Sequence, residues 1–170
     1  MPKARKVAFP VESQLHQKLD QAFYSDAFET DLVDASLTPV EIAARALVST
    51  PGWVDGLVHL RDRVASLFGL KAVGRLRLSG SGCSLSEPSV GDAFSIFHVV
   101  FVDSTELVLG IDDTHLNVRM SFLKRLKDAR ATYVISSWVK THNVLGRVYM
   151  LPVAPIHRLL VNLMMRGVPM

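Results

Sequence analysis

Asp112, Asp113 and His115 form the sharpest group of residues whose types and spacing could do chemistry. Adjacent carboxylates with an imidazole could serve as an acid/base apparatus or as part of a metal site. The same Asp-Asp-Thr run between two apolar stretches is also ordinary turn chemistry, because Asp side chains bond nearby backbone N–H groups. A metal would need a third ligand from elsewhere. His142 is available, but no spacing argument brings it near, so no metal site is expected. Arg119 reads as a strand residue on the same face as His115. In a sheet interior it would need a carboxylate partner, with Asp113 or Glu106 as the options, or an anionic ligand; on an outer face it would be a solvated strand residue with a cross-strand partner. His142-Asn143 sits where a strand hands over to a helix, with Asn143 as a natural N-cap and Arg147 and Tyr149 on the following turns. His157-Arg158 follows Pro155, and His157 stands one position off an apolar stripe, so a core-edge histidine is expected there. Ser79-Gly-Ser81-Gly-Cys83 lies in a Gly/Ser/Pro-rich stretch rather than in the strand–turn–helix context of a nucleophile elbow. It is not followed by the Gly-Lys-Ser/Thr of a P-loop.

The elements that must position these residues follow from periodicity. Leu15, Leu19 and Phe23 suggest a short helix over 13–23, and residues 26–35 alternate like a strand. Thr38-Pro39-Val40-Glu41 is a helix start with N-cap, first-turn proline and capping acid, and the helix should run to about Leu47. A second helix is expected over 53–68, with Trp53, Leu57, Leu60, Val64 and Leu67 on one stripe. After the 79–89 loop the period becomes two. Strands are expected over 95–102, 106–111, 115–123 and 132–141, with turns at 103–105 and 112–114 and a polar turn at 124–129. Such closely connected strands make an antiparallel meander. Ile156, Leu159, Leu160, Leu163 and Met164 then predict a C-terminal helix opened by Pro155, with Pro152 kinking or breaking whatever precedes it.

This order predicts an α+β fold. A curved antiparallel sheet wraps around a long C-terminal helix, with two short helices after the first strand: a helix-grip (START/SRPBCC-like) arrangement. Residues 1–25 are expected to be an N-terminal arm or short helix and 26–170 one helix-grip domain. The space between sheet and helix is commonly a pocket in that architecture. Its polar rim would come from His115, Arg119, His142, Arg147 and Tyr149, with His157 nearby.

Composition narrows the function classes. The 170 residues are 49% hydrophobic and 21% charged, enough to bury a core and unlike a disordered chain. No sequence run reaches the ~18–20 apolar residues of a membrane span. One cysteine, Cys83, leaves no internal disulfide and no cysteine-built zinc site. The basic start is not followed by a signal-peptide core, so a cytoplasmic location is expected. Residues 1–6 carry three basic residues; 7–60 carry two basic against eight acidic; 61–170 carry fourteen basic against eight acidic. The net +3 is a weak signal for nucleic acid, and none is expected as a partner. Lys124, Arg125, Lys127 and Arg130 form the densest basic group. They read as a solvated hairpin end or a weak contact with an acidic partner or anionic lipid.

Three segments resemble a known family. They are Gly110-Ile-Asp112-Asp113-Thr-His115-Leu116 through Arg119 to Ser121, His142-Asn143-Val-Leu-Gly146-Arg147-Val-Tyr149, and Pro155-Ile156-His157-Arg158. Trp53 and Leu60-Arg61-Asp62 match more weakly. Together they resemble the bacterial domain of unknown function 2867 (DUF2867) from about Asp26 to Arg166. Ile156 stands where that family usually has an aromatic, and Asn117 where it often has an acid. The resemblance implies no particular activity. It does imply an association with nucleotide-sugar-epimerase-like reductases, to which such domains are sometimes fused or adjacent. This chain has no GxGxxG and so no dinucleotide site of that kind, and no cofactor is expected.

Three functions are then in play. The first is binding of a small apolar or amphipathic molecule between sheet and helix, in an interior supplied by Met120, Met150, Met164 and Met165 with Phe94, Phe97, Phe101 and Trp138. These residues would serve equally as plain core. The second is an enzyme using Asp113 and His115 for acid/base work, with Arg119 holding an anionic oxygen. The third is a module that docks on a protein, a membrane surface or a second copy through the C-terminal helix.

Overall fold

The structure, a computed structural model, describes residues 4–56, 59, 63, 88–127 and 130–168. The strands are β1 (Arg5–Lys6), β2 (Tyr24–Asp31), β3 (Ala93–Phe94), β4 (Phe97–Val102), β5 (Glu106–Asp112), β6 (Leu116–Lys127) and β7 (Arg130–Thr141). The helices are α1 (Pro39–Val48) and α2 (Val144–Gly167), with a 3-10 turn at His16–Gln21. The strands form one antiparallel sheet in the order β1-β2-β7-β6-β5-β4-β3, wrapped around α2. This is the α+β arrangement expected. Trp53–Gly56, His59 and Arg63 are helical. The rest of the expected second helix, and residues 79–87 of the loop with Cys83, lie outside the described residues.

The register assigns each residue to a face. Asp26 pairs with Ser137, Ser137 with Met120, Met120 with Leu109, and Leu109 with Val99. One step along, Phe28, Ile135, Phe122 and Leu107 stand in line. Successive residues alternate faces, so both rows look to the concave side. There they bury against Ile42 and Leu47 of α1 and Val161, Met164 and Met165 of α2. Each fully buried side chain of this size contributes about 1.5–3 kcal/mol. Thr38 starts α1 with the expected capping box: its hydroxyl accepts from Glu41 N–H at 3.2 Å and Glu41 accepts from Thr38 N–H at 2.8 Å.

The convex face is covered too, by the N-terminal arm. Val7 and Phe9 pack on Ala27, Leu123 and Val134, while Leu15 and Leu19 pack on Val108 and Trp138. Trp138 donates its indole N–H to the Lys18 carbonyl at 2.8 Å. A bulge between Val99 and Phe101 lets Val100 and Phe101 both join this layer. Glu106, only 2% exposed, anchors the arm. Its carboxylate accepts from the Ser13 hydroxyl at 2.6 Å, from Gln14 N–H at 2.9 Å, and from the Ser121 hydroxyl.

Several elements differ from expectation. The helix expected over 13–23 is a 3-10 turn, and the first strand begins earlier, at Tyr24. His115 lies in the β5–β6 turn rather than in the strand. The polar turn expected from Lys124 is strand through Lys127, because the hairpin simply extends. Lys124 donates to the Ala35 carbonyl at 2.6 Å, and Arg125 pairs with Glu12 at 2.7 Å, so these cations are already engaged. Near Trp53 it is Val54 that is buried, with Trp53 exposed.

α2 runs unbroken through Pro152 and Pro155. Both prolines lie on its solvent side, so the carbonyls they leave without a helix donor, those of Val148 and Leu151, are reached by water. The buried stripe also differs. It comprises Gly146, Met150, Val161, Met164 and Met165, whereas Ile156 and Leu159 face outward. A helix apolar all round gives the sequence no single stripe to favour.

Removing the Glu106 carboxylate should release the arm. Glu106→Ala leaves three donors without their acceptor and should cost about 2–4 kcal/mol. Limited proteolysis should then cut within residues 7–22 well before it cuts β5 or β6.

Candidate functional site

The site lies where α2 crosses β2 and β7. His157 sits at the centre of the inward face of α2, eleven residues after Gly146 and seven before Met164, both buried. Its Nε2 and the Ser137 hydroxyl are 2.6 Å apart. Ser137 pairs across the sheet with Asp26, so the carboxylate stands beside the hydroxyl. Asp26 is 4% exposed. Its Oδ2 accepts from the Tyr24 hydroxyl, which lies two residues away on the same face. Its Oδ1 is buried and has no hydrogen-bond partner among the described residues. The Tyr24 ring meets His157 edge-on, with centroids 6.3 Å apart. Arg158 closes the outer side. Its Nε donates to the Tyr24 hydroxyl at 3.3 Å and its guanidinium lies 5.8 Å from the ring centroid.

Burial sets the electrostatics. It pushes the His157 imidazole below the ordinary histidine range, with the nearby Asp26 charge opposing. This lowering favours the neutral ring, whose Nε2 either accepts from the Ser137 hydroxyl or, in the other tautomer, donates to it. Tyr24 is pushed up to about 12, first by burial and then by its hydrogen bond to Asp26. The arrangement offers a neutral imidazole, a hydroxyl and a carboxylate oxygen with open acceptor capacity. Apolar residues lie on either side: Leu116, Val139 and Met150 toward the start of α2, and Val161 and Met164 toward its end.

The residues singled out from sequence fall in three places. Arg119 is on the convex face, 2.7 Å from Asp112. It also donates to the Val118 carbonyl at 2.9 Å. Its partner is thus Asp112, not Asp113 or Glu106, because β5 turns Asp112 outward in register with Asn117. Gly110 makes this possible, since a Cβ there would stand 3.2 Å from Arg119 Cδ and 2.6 Å from Val100 Cγ2. His98 joins the same carboxylate at 3.5 Å.

The second place is the end of the sheet where α2 begins. His115 Nδ1 lies 2.6 Å from Asn143 Nδ2, and Asn143 Oδ1 accepts from Gly146 N–H at 3.0 Å as the N-cap. His142 Nε2 lies 3.1 Å from Asn117 Oδ1, and the His142 N–H donates to the His115 carbonyl at 2.8 Å. A Cβ on Gly146 would strike that same carbonyl, so only glycine lets the helix start so close to the turn. Asp113 Oδ1 accepts from Thr114 N–H at 2.6 Å. Arg147 is exposed, and Tyr149 is half-buried against Leu116, Val139 and Met150.

His157 alone enters the third place, under the helix. Tyr24, Asp26 and Ser137 were not anticipated there. Two signals for them existed: a carboxylate on the face that also carries Phe28, and Ser136-Ser137 inside an otherwise apolar strand. Neither shows its partner without the β2–β7 register. Among the described residues no group of three or more His, Cys, Asp and Glu could hold a metal ion. α2 is long and apolar enough to cross a membrane by length and composition, although its inner face is packed on the sheet.

A curved antiparallel sheet closed around its C-terminal helix, with polar groups gathered beneath that helix, defines a helix-grip-like domain. Residues 18–164 match the family described as protein of unknown function (DUF2867), and the chain belongs to that family. No curated protein and no solved structure matches it.

The depressed His157 makes stability pH-dependent. In the unfolded chain the imidazole takes up a proton below about pH 6.5, while in the folded protein it resists until lower pH. Stability should be full above that value and should fall as pH drops below it. Urea midpoints measured from neutral pH to about pH 5 should show this slope, and His157→Gln should flatten it.

Proposed function

We propose that this protein binds a small apolar or amphipathic molecule between the sheet and α2, with the molecule's polar group facing Asp26, Ser137 and His157. The observation that carries this reading is the buried, unpartnered Oδ1 of Asp26. A buried acceptor without a donor costs about 1–3 kcal/mol, and a ligand hydroxyl or amine would recover it. The apolar residues on both sides of the polar group suit the remainder of such a molecule. In this reading Arg119 takes no part, since it is committed to Asp112 on the opposite face. His142, Arg147 and Tyr149 are proposed to border the entrance at the start of α2.

An enzyme on the same site is the second reading. The 2.6 Å contact between a serine hydroxyl and an imidazole favours it, because that is how a base activates a nucleophile. Acid/base work by Asp113, His115 and Arg119 requires them to converge on one substrate. The hydrogen bonds of Asp113 to Thr114, of His115 to Asn143 and of Arg119 to Asp112 weigh against that version.

Native mass spectrometry of freshly purified protein, followed by organic extraction, tests the proposal. A discrete extra mass that is lost in Asp26→Leu is the expected result. Titration with N-phenyl-1-naphthylamine, an apolar probe with one N–H donor, should give saturable fluorescence weakened about tenfold in the same variant, the usual worth of a hydrogen bond to a charged group. A clean apo mass together with no saturable probe binding overturns the reading.

A further inference from the structure

The outer face of α2 carries a second apolar stripe that no described residue of the fold covers. Val144, Val148, Leu151, Pro152, Pro155 and Leu159 recur at helical spacing and all face solvent, with Leu151 71% and Leu159 53% exposed. The stripe runs about 22 Å at 1.5 Å per residue. A helix apolar on both faces needs cover on both, and the inner face already has the sheet.

Charge identifies the cover. From Val144 to Gly167 there is no acidic residue, while Arg147, Arg158 and Arg166 are all exposed. Arg147 and Arg158 are eleven residues apart, three helical turns, and so border the stripe on one flank; Arg166 extends it at the C-terminal end. An apolar stripe edged only by cations is complementary to an anionic bilayer surface. The helix cannot cross that bilayer while its inner face holds the sheet. The carbonyls freed by Pro152 and Pro155 also need water, which the headgroup region supplies and the hydrocarbon core does not.

We propose that α2 lies in the plane of an anionic membrane surface, its backbone at the level of the hydrated headgroups, with only the side-chain tips of its outer stripe reaching the acyl boundary and its arginines on lipid phosphates. The inference is independent of what binds beneath the helix. Co-sedimentation with vesicles of phosphatidylcholine, alone or with phosphatidylglycerol, tests it. The wild-type chain should bind the phosphatidylglycerol vesicles, more weakly as salt rises, and bind phosphatidylcholine poorly. Leu151→Asp/Leu159→Asp should lose about tenfold or more in partitioning. Arg147→Glu/Arg166→Glu should lose the preference for phosphatidylglycerol, about thirtyfold or more for removing two cations and adding two anions. All four positions are exposed, so circular dichroism and melting should match the wild type; Leu151→Gln/Leu159→Gln is the milder pair should either Asp disturb the helix. Wild-type protein left in the supernatant with phosphatidylglycerol vesicles overturns the proposal, as does binding indifferent to the leucine pairs. A solution dimer dissolved by those same pairs, without vesicle binding, would assign the stripe to a second copy and also overturn it.

Discussion

The helix α2 lies across the concave sheet, held by a polar contact at each of three levels. At its start, Asn143 joins His115 while capping the first turn. At its middle, His157 meets Ser137. At its end, Tyr133 reaches across to the Met165 carbonyl at 2.7 Å, satisfying a last-turn acceptor that lacks an intrahelical donor. Apolar burial supplies most of the attraction between helix and sheet, but burial is indifferent to small rotations and slides. The three hydrogen bonds are directional, and together they fix which face of an apolar helix turns inward. The concave wall of Phe122, Leu109 and Ile135 stays dry only with the helix in that setting.

Much of this could be read from sequence because local chemistry decided it. Thr38 and Glu41 cap α1 through bonds three residues apart, and β5 to β7 keep a clean period of two. The rotation of α2 could not be read, because Leu159 and Val161 are equally apolar and only the sheet distinguishes them. His157 is the half-buried histidine expected there, but its partner Ser137 is visible only from the sheet. The site under the helix was hidden for a related reason: Asp26 and Ser137 are neighbours only through strand pairing. The covering of the convex face was hidden as well, since nothing local to Ser13 announces a buried Glu106 in β5.

The three segments that resemble the DUF2867 family divide the labour of this arrangement. The first and second meet at the start of α2, where Gly146 presses on the His115 carbonyl. The first also holds Gly110, whose missing side chain lets Arg119 lie along the strand to Asp112. The third brings His157 down onto Ser137. Within these segments His115, Asn143 and His157 make hydrogen bonds that hold the helix, and the group with an open acceptor lies outside all three.

The N-terminal arm has a consequence for how the molecule is made. Lys18 and Trp138 are 120 residues apart, and Ser13 and Glu106 are 93 apart. A ribosome releases the arm first and its docking surface much later. β1 and β2 can pair early, but Phe9, Leu15 and the other edge of β2 must wait until β7 has emerged, since β2 has its long partner strand only there. Contacts of such long range form slowly and late. The arm's apolar side chains therefore stay uncovered through most of the domain's synthesis.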